Sequence, residues 1–484
     1  MTDLSTPPTR PLGALAPQPS PISGEPDLIE VTDPATGELV GRLPVATPEQ
    51  TDQAVRTARA AEAGWARTPA AQRGAALADM AAALRRRSRE LAEVNTRETG
   101  RPTEEAEAGV LAGADTLDQY AQLGPVHRGR SLLGEWAATD LMVPEPRGVV
   151  VALTPWNDPV AVACGLLGAA LVTGNTVVHK PSERCPHLGL LLHHVLVEHL
   201  PEGVLNHLVG RGRTGARLAG HPDVDVVAHV GSTATGRAIA AATARTGAKA
   251  LLENGGNDPL VVDADVDPEW AAQQAALGAF ANVGQICTAV ERVYVHRGLA
   301  QPFLRALTAE ADRRTAGPDG HPGRRLAPLV DRAHRDHVHS QVAEALTSGA
   351  ARCAGGVVPD GPGAYYPATV LADCRPDMRV LREETFGPVA PVRVVDSFDQ
   401  AMTEAAADRY GLAATVLTGS LRHAQRAWRE LPVGTVKVNA VFGGAPGGAA
   451  QPRAASGTGF GYGPELLDEM TTTKVVHLGQ PVLG

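Results

Sequence analysis

The chain has 484 residues, which is enough for two or three domains, and 43% of them are hydrophobic. Its formal net charge is −9 and no long basic run is present, so we expect no nucleic-acid partner. No apolar run reaches the roughly 18 residues of a membrane span, and the N-terminus lacks a signal-peptide pattern, so we expect no membrane partner. Five scattered cysteines, without a CxxC pair or metal-ligand spacing, indicate reduced thiols, a cytoplasmic location and no metal site.

The first quarter of the chain combines a tail, a hairpin and a helical region. Residues 1–27 are rich in proline and poor in apolar side chains, which is typical of a disordered tail. Residues 28–47 predict two short strands joined by a Pro-Ala-Thr-Gly turn. Residues 48–122 have the apolar spacing of helices, the first of which begins at Pro48. Residues 128–146 lack this spacing and predict extended strands.

Buried strands then alternate with helices. Strands are predicted at 148–154, 176–179, 204–209, 224–230 and 248–253, with helices at 160–171, 186–200 and 235–246. This alternation predicts a parallel α/β sheet that places ligand-binding groups at the carboxyl ends of its strands. Lys180, Ser232 and Glu253 fall at such ends.

A second α/β unit begins at Asp258. Its strands are predicted at 260–262, 290–296, 366–371, 389–395, 413–417 and 435–438, and its helices at 268–283, 299–314, 330–349, 399–408 and 421–430. A last strand is expected at 471–478. The expected fold class is therefore α/β, with two doubly wound parallel-sheet domains.

A literal GxGxxG motif, Gly210–Gly215, follows a predicted strand. The dinucleotide fingerprint requires an acidic residue at the end of the next strand, but that strand ends in His229 and Val230. We therefore favour a loop that lets a helix pack closely, with the dinucleotide fingerprint as the alternative.

Cys287 lies between a Gly-Gln turn and a β-branched run, and Glu253 lies 34 positions before it. A thiol near a carboxylate suits a nucleophile that forms an acyl intermediate and a base that activates water. Nearby backbone amides are expected to lower the pKa of the thiol. The alternatives are a small core cysteine and a glutamate that ends a strand or helix.

Four further motifs accompany this pair. They are Thr154-Pro155-Trp156-Asn157, Lys180-Pro181-Ser182-Glu183, Gly231-Ser232 at a helix start, and Glu384-Thr385-Phe386. The amides at a helix start can bind phosphate. In this order and spacing the motifs resemble the aldehyde dehydrogenase superfamily, the NAD(P)-dependent and non-phosphorylating kind, from about Leu28 to Leu478.

The resemblance implies a domain plan with a small β oligomerisation element. Residues 28–127 and 147–253 would form the NAD-binding domain, and residues 254–470 the catalytic domain. Residues 128–146 and 471–484 would be the oligomerisation strands of a homodimer or homotetramer.

The resemblance also assigns roles to single residues. Cys287 is the implied nucleophile, Glu253 the general base and Asn157 the oxyanion-hole amide. The implied cofactor residues are Thr154, Trp156, Lys180, Glu183, Gly231, Ser232, Asn254, Glu384 and Phe386. The carboxylate of Glu183 would repel a 2′-phosphate, so we expect NAD as the cofactor, with NADP possible.

The implied substrate is a small aldehyde, whose pocket would include Asp158, Ile286, Thr288 and Phe442. Asp158 would either favour a cationic or hydroxylated aldehyde or cap the helix that begins at Pro159. The sequence shows no arginine cluster near Asn157 that would indicate an acidic substrate.

Two segments depart from the family pattern. The base segment reads Glu-Asn-Gly-Gly-Asn over 253–257 where the family has Glu-Leu-Gly-Gly-Lys, and the Gly-rich segment 447–457 lacks the family lysine. Three alternatives to a general aldehyde dehydrogenase remain: a semialdehyde dehydrogenase with a specific acidic substrate, a catalytically silent scaffold of this fold, and a cofactor-independent thiol esterase.

Overall fold

The computed structural model describes residues 27–316, 325–443, 448–449 and 451–481. The predicted disordered tail lies outside these ranges except for Asp27, and so do part of the Gly-rich segment and the last three residues.

The strands have the following bounds: β1 Leu28–Thr32, β2 Leu39–Pro44, β3 Arg130–Leu132, β4 Thr139–Pro146, β5 Val149–Leu153, β6 Thr176–Lys180, β7 Leu205–His207, β8 Val226–Val230, β9 Lys249–Glu253, β10 Asp258–Val262, β11 Val290–His296, β12 Thr315–Ala316, β13 Arg325–Leu326, β14 Ala351–Ala354, β15 Thr369–Ala372, β16 Val389–Val395, β17 Ala413–Leu417, β18 Thr435–Val438, β19 Gly457–Thr458 and β20 Thr471–Leu478.

The helices have these bounds: α1 Pro48–Arg67, α2 Ala70–Arg86, α3 Ser88–Thr99, α4 Thr103–Leu123, α5 Pro159–Val172, α6 Pro186–Val197, α7 Gly212–Ala219, α8 Thr233–Thr246, α9 Pro268–Phe280, α10 Ala300–Asp312, α11 Arg332–Thr347, α12 Phe398–Ala406, α13 Leu421–Glu430 and α14 Glu465–Glu469.

The first large sheet has the strand order β19-β9-β8-β5-β6-β7. Its strands are parallel except β19, which joins the edge antiparallel to β9. The continuous apolar run of β5 is buried on both faces, as expected for a central parallel strand. Val150 and Ala152 pack with helices α2 to α6, whereas Val149 and Val151 pack with α1, α7 and α8.

The second large sheet has the strand order β14-β15-β16-β11-β10-β17-β18. Only β14 is antiparallel among its described strands. Leu260 and Val262 of β10 face α9 and α10, and Val261 between them faces α12 and α13. The predicted fold class, α/β with two doubly wound parallel sheets, is confirmed.

The predicted strands near residues 128–146 and 471–478 form a third sheet, with the order β20-β4-β3. β4 pairs antiparallel with β20 from Thr139↔Leu478 to Pro146↔Thr471. Leu133 and Trp136, in the turn between β3 and β4, are fully exposed, and Val475 and Leu478 of β20 are also exposed.

The predicted helical region holds four helices, α1 to α4, with breaks at Pro69, Arg87 and Pro102. Elsewhere the structure differs from the predicted elements. The sequence did not predict β14, since this short, exposed edge strand has no apolar alternation. Helix α9 ends at Phe280, three residues before its predicted end, because Asn282 and Val283 adopt left-handed backbone angles. No helix in the described ranges is long and apolar enough to cross a membrane.

Candidate active site

The turn before Cys287 contains three successive left-handed residues. Asn282, Val283 and Gly284 have φ angles of 45°, 58° and 74°. This conformation is unusual for a β-branched residue such as Val283, so tertiary contacts must hold the turn. Gly284 provides one such contact, since a Cβ there would overlap the carbonyl oxygen of Gly387. The turn thus packs directly against the Glu384–Phe386 motif.

Cys287 is half-buried and forms no disulfide. Desolvation in the interior, together with the carboxylates of Glu253, Asp258 and Glu384, raises the pKa of its thiol to about 12. The Thr288 backbone N–H lowers this pKa, as expected of a nearby amide, but the net shift is upward. Desolvation, the largest effect, and three acidic groups outweigh a single amide donor.

Asn157 lies beside the cysteine turn. Its Nδ2 donates to the carbonyl oxygen of Gln285 at 3.1 Å, and Asn282 Nδ2 donates to the carbonyl oxygens of Asn157 and Gln285 at 3.3 and 3.1 Å. Ile286 and Thr288 are half-buried on either side of Cys287. The structure therefore brings the predicted nucleophile and the predicted amide to one place.

Glu253 ends strand β9, and its carboxylate packs over Gly461. A Cβ at position 461 would overlap the carboxylate, so only glycine leaves this space. Burial raises the pKa of Glu253 to about 8, although the Gly461 backbone N–H lowers it. Only the ionised fraction of such a carboxyl group, which grows as the pH approaches 8, can accept a proton. Sequence reasoning missed Gly461 because the contact joins distant parts of the chain.

Glu384 and Phe386 are held by a second buried acid that the sequence analysis missed. Glu291 of β11 accepts from the backbone N–H groups of Thr385 and Phe386 at 3.0 and 2.9 Å. Glu384 Oε1 accepts from Gly256 N at 3.0 Å, and burial raises the pKa of Glu384 to about 7. β11 also contains Arg292 and His296, so Glu291 does not stand out in the sequence as a lone acid in an apolar strand.

Trp156 and Phe386 form an aromatic wall near this loop. Their ring centroids lie 5.5 Å apart in an edge-to-face arrangement, and the guanidinium of Arg184 lies 5.1 Å from the Trp156 ring. Thr154 is buried behind them, where its hydroxyl bonds His179 Nε2 at 2.9 Å.

The predicted ribose and phosphate groups lie at the carboxyl ends of β6 and β8. Lys180 is buried, and its Nζ donates to the carbonyl oxygens of Pro181 and Gly210 at 2.7 and 2.8 Å. The carboxylate of Glu183 is exposed and lies 3.8 Å from the Lys180 ammonium. Gly231 precedes Ser232, whose hydroxyl caps α8 by accepting from Thr235 N.

This donor set fits the dinucleotide that the resemblance implies. An exposed helix N-terminus suits a pyrophosphate, and a carboxylate beside an ammonium suits ribose hydroxyls. In the GxGxxG loop, a Cβ at Gly215 of α7 would lie 3.7 Å from Lys180 Cε, an ordinary packing distance, so this contact does not itself require glycine.

The two asparagines of the altered base segment are buried. Asn254 Nδ2 donates to Ala455 O at 3.2 Å, and its side chain fills the space beside Gly236 of α8. Asn257 Nδ2 donates to Asp408 Oδ2 at 2.7 Å. Both side chains therefore connect β9 and β10 to neighbouring segments.

Asp158 occupies the N-cap position of α5 but makes no side-chain capping bond. Its Oδ1 instead accepts from Arg101 Nη1 at 2.7 Å. The capping alternative was therefore wrong, and a single arginine, Arg101, lies beside Asn157 and Asp158. Phe442, the remaining predicted pocket residue, is half-buried, and the Lys437 ammonium lies 5.5 Å from the centre of its ring.

Comparisons with known proteins agree with this geometry. A model of the aldehyde dehydrogenase family matches residues 22–476. The chain is 36% identical over 466 residues to a betaine aldehyde dehydrogenase of Rhizobium etli (strain CIAT 652), which covers 93% of this chain and 94% of that relative.

Solved structures give the same result. A lactaldehyde dehydrogenase from Escherichia coli is similar with a TM-score of 0.91 and 32% identity, over 95% of this chain and 97% of that chain. An NAD-dependent aldehyde dehydrogenase from Sinorhizobium meliloti is similar with a TM-score of 0.91 and 32% identity, over 94% and 93%. Similar structures include complexes with NAD+ and with NADP.

Proposed function

Because this chain belongs to the aldehyde dehydrogenase family and is an NAD(P)-dependent aldehyde dehydrogenase, we propose that it converts an aldehyde to a carboxylate through a thioester on Cys287. The observation that carries the proposal is the bond from Asn157 Nδ2 to Gln285 O, two residues before the thiol. This contact supports an amide donor and a nucleophile that act on one carbonyl group.

In the first step, the Cys287 thiol loses its proton to solvent and its sulfur forms a bond to the aldehyde carbon, while the π electrons of the C=O bond move to the oxygen, which becomes an oxyanion. Asn157 Nδ2 and the backbone N–H of Cys287 are the proposed donors to that oxygen. Removing one such donor typically costs about 3–4 kcal/mol of barrier. The bond from Asn157 to Gln285 O keeps the amide at the cysteine turn before substrate arrives.

The second step is hydrolysis of the thioester. When bound, the nicotinamide supplies the hydride acceptor that turns the thiohemiacetal into the thioester. Glu253 then takes a proton from water, whose oxygen attacks the thioester carbon, and Cys287 leaves as the thiolate. Burial supports this role, since it raises the pKa of Glu253 to about 8.

We assign NAD as the preferred cofactor. The Glu183 carboxylate is exposed beside the Lys180 ammonium, where it would accept hydrogen bonds from ribose hydroxyls and repel a 2′-phosphate. Residues 28–127 and 147–253 are the proposed NAD-binding domain, and residues 254–470 the proposed catalytic domain.

We further propose that β4 and β20 join two copies of the chain into a homodimer or homotetramer. Among the described strands, β20 pairs with β4 alone, so its outer edge offers unpaired backbone groups. The exposed Val475 and Leu478 side chains on this strand support burial against a partner.

The experiment is NADH or NADPH production by the purified protein, followed at 340 nm. The aldehyde panel includes betaine aldehyde and lactaldehyde, the substrates named for two relatives, together with a dicarboxylic semialdehyde. Each aldehyde is tested with NAD and with NADP. We expect turnover with NAD, and loss of more than about a thousandfold in Cys287→Ala.

The matched control is Cys353→Ala, which removes an exposed thiol on β14 and should leave the rate unchanged. Undiminished turnover in Cys287→Ala would contradict the nucleophile assignment. Equal or faster turnover with NADP would contradict the assignment of Glu183.

A further inference from the structure

Arg101 contacts both the backbone and the side chain of the segment that carries the proposed oxyanion amide. It lies in the link between α3 and α4, and its Nη1 donates to Asp158 Oδ1 at 2.7 Å. The same nitrogen lies 3.4 Å from the carbonyl oxygen of Asn157. One guanidinium thus fixes the start of α5 beside the cysteine turn.

This ion pair is only partly exposed. The side chains of Arg101 and Asp158 are 16% and 36% exposed. Helix α4 packs against one side of the ion pair, since a Cβ at Gly109 of this helix would lie 2.8 Å from Asp158 Oδ1. Arg101 Nε is buried without a hydrogen-bond partner in the described part of the chain. A pair in this position is screened less than a surface pair and can act on a ligand.

The same wall carries polar groups further along. Gly165 follows Asp158 by two turns of α5, about 10 Å. The Tyr462 ring lies 3.6 Å from where a Cβ at Gly165 would stand, and its hydroxyl bonds Thr116 Oγ1 of α4 at 2.8 Å. Tyr462 follows Gly461, on which Glu253 rests. The hydroxyl group of Tyr462 therefore lies next in the chain to the glycine on which Glu253 rests, and its ring packs against α5 two turns beyond the ion pair.

We propose that the Arg101–Asp158 pair is a polar subsite that selects aldehydes with a hydroxyl group on the carbon next to the carbonyl. The proposal rests on the proposed function, because it takes the Asn157 amide to mark the carbonyl oxygen. Asp158 is the next residue, with its Cα about 3.8 Å further along the chain. Because Arg101 Nη1 lies 3.4 Å from Asn157 O and 2.7 Å from Asp158 Oδ1, the pair adjoins the segment that carries the amide, and the proposal places the hydroxyl group that it binds on the carbon next to the carbonyl.

A hydroxyl group suits this pair better than a charged group does. It can donate to the carboxylate of Asp158 and accept from the guanidinium of Arg101. An ammonium group at this position would meet the guanidinium, and a carboxylate group would meet Asp158, so one half of the pair repels each. An alkyl group would displace water from the pair without replacing its hydrogen bonds.

The test compares kcat/KM for aldehydes that differ by one group at that carbon. Hydroxyacetaldehyde is paired with acetaldehyde, and 2-hydroxypropanal with propanal, while aminoacetaldehyde and 3-oxopropanoate carry an ammonium and a carboxylate group on that carbon. We expect the wild-type enzyme to favour each hydroxyaldehyde over its partner by about tenfold to a hundredfold. Asp158→Leu should bring the ratio of kcat/KM for each hydroxyaldehyde to kcat/KM for its partner close to one. Asp158→Asn should give a ratio between one and the wild-type value.

The matched control is Asp115→Asn, which breaks an exposed ion pair of Arg85 with α4 and should keep the wild-type ratio. A wild-type ratio near one, an unchanged ratio in Asp158→Leu, or a preference for the amino or carboxy substrate would each overturn the subsite. Absence of Cys287-dependent turnover with every aldehyde would instead overturn the proposed function, and the subsite with it. Melting temperatures of all variants show whether a loss of the preference for hydroxyaldehydes results from destabilisation of the fold.

Discussion

Two buried groups with raised pKa values face each other at the proposed reaction centre. The thiol of Cys287 has a pKa of about 12 and the carboxyl of Glu253 a pKa of about 8. Desolvation is the main cause for both, because it disfavours the thiolate and the carboxylate alike. The free enzyme at pH 7 therefore holds a neutral thiol and a mostly protonated base.

The pKa of Glu253 predicts how the rate depends on pH. Glu253 can take a proton from water only when it is ionised, so hydrolysis of the acyl enzyme should rise about tenfold per pH unit below pH 8. Above pH 8 the rate should level off. Burst kinetics between pH 6 and pH 9 separate this step from acylation. Glu253→Gln should retain the burst and lose the later rise, and a hydrolysis rate independent of pH in the wild-type enzyme would contradict the prediction.

The sequence was sufficient to find residues that belong to local motifs. Cys287 and Asn157 each stand in a short pattern that carries its own signal, and the structure brings them together. Arg101, Glu291 and Gly461 carry no such signal, because each acts on a segment distant in the chain. The Arg101 contact spans 56 positions, and nothing in a single sequence states which segments meet.

At the scale of elements, the turn before Cys287 and the segment after Glu384 form one unit. Gly284 has a φ angle of 74° and lies against Gly387 O. Glycine is therefore required there both by the left-handed backbone conformation and by the lack of space for a side chain. Gly247 ends α8 with a φ angle of 81°, and no atom lies within 4 Å of where its Cβ would stand. Alanine substitutions at these two glycines therefore distinguish the cost of backbone strain, which both positions share, from the cost of a close contact, which only Gly284 has.

Gly247 and Gly284 predict different losses of stability when each is replaced by alanine. Gly247→Ala should cost about 1–2 kcal/mol of stability, the strain of an L-residue in the left-handed region. Gly284→Ala should cost about 1–3 kcal/mol more, because its Cβ must displace the Gly387 backbone. Thermal unfolding of both variants measures the difference, and turnover should fall in Gly284→Ala alone. Equal melting temperatures would show that the turn can move away from Gly387.

Most elements could be predicted because their apolar pattern is continuous. β16, β17 and β18 begin and end as predicted, since each is a compact run of buried or half-buried residues. β14 and α7 were missed for a physical reason. The first is an exposed edge strand, and the second begins inside a glycine-rich loop, so neither has apolar periodicity over enough residues.

At the scale of the whole molecule, the third sheet is the proposed contact between copies of the chain. Val475 and Leu478 are 70% and 58% exposed on β20. Replacing both with glutamate places charge on that surface, so we expect the oligomer to dissociate to monomers. Light scattering after size-exclusion chromatography measures the mass. Leu421→Glu, at an exposed leucine of α13, is the control and should keep the native mass. An unchanged mass in the double variant would locate the contact elsewhere.

The pairing of β9 with β19 sets the order in which the enzyme can mature during its synthesis. Glu253 lies opposite Gly457, and Gly461 forms the surface on which its carboxylate rests. A ribosome delivers residue 253 long before it delivers residues 457–461, so the first sheet can form while the base still lacks its support. Until residues 457–461 are made, the first sheet lacks β19, and the proposed base lacks the glycine against which its carboxylate packs.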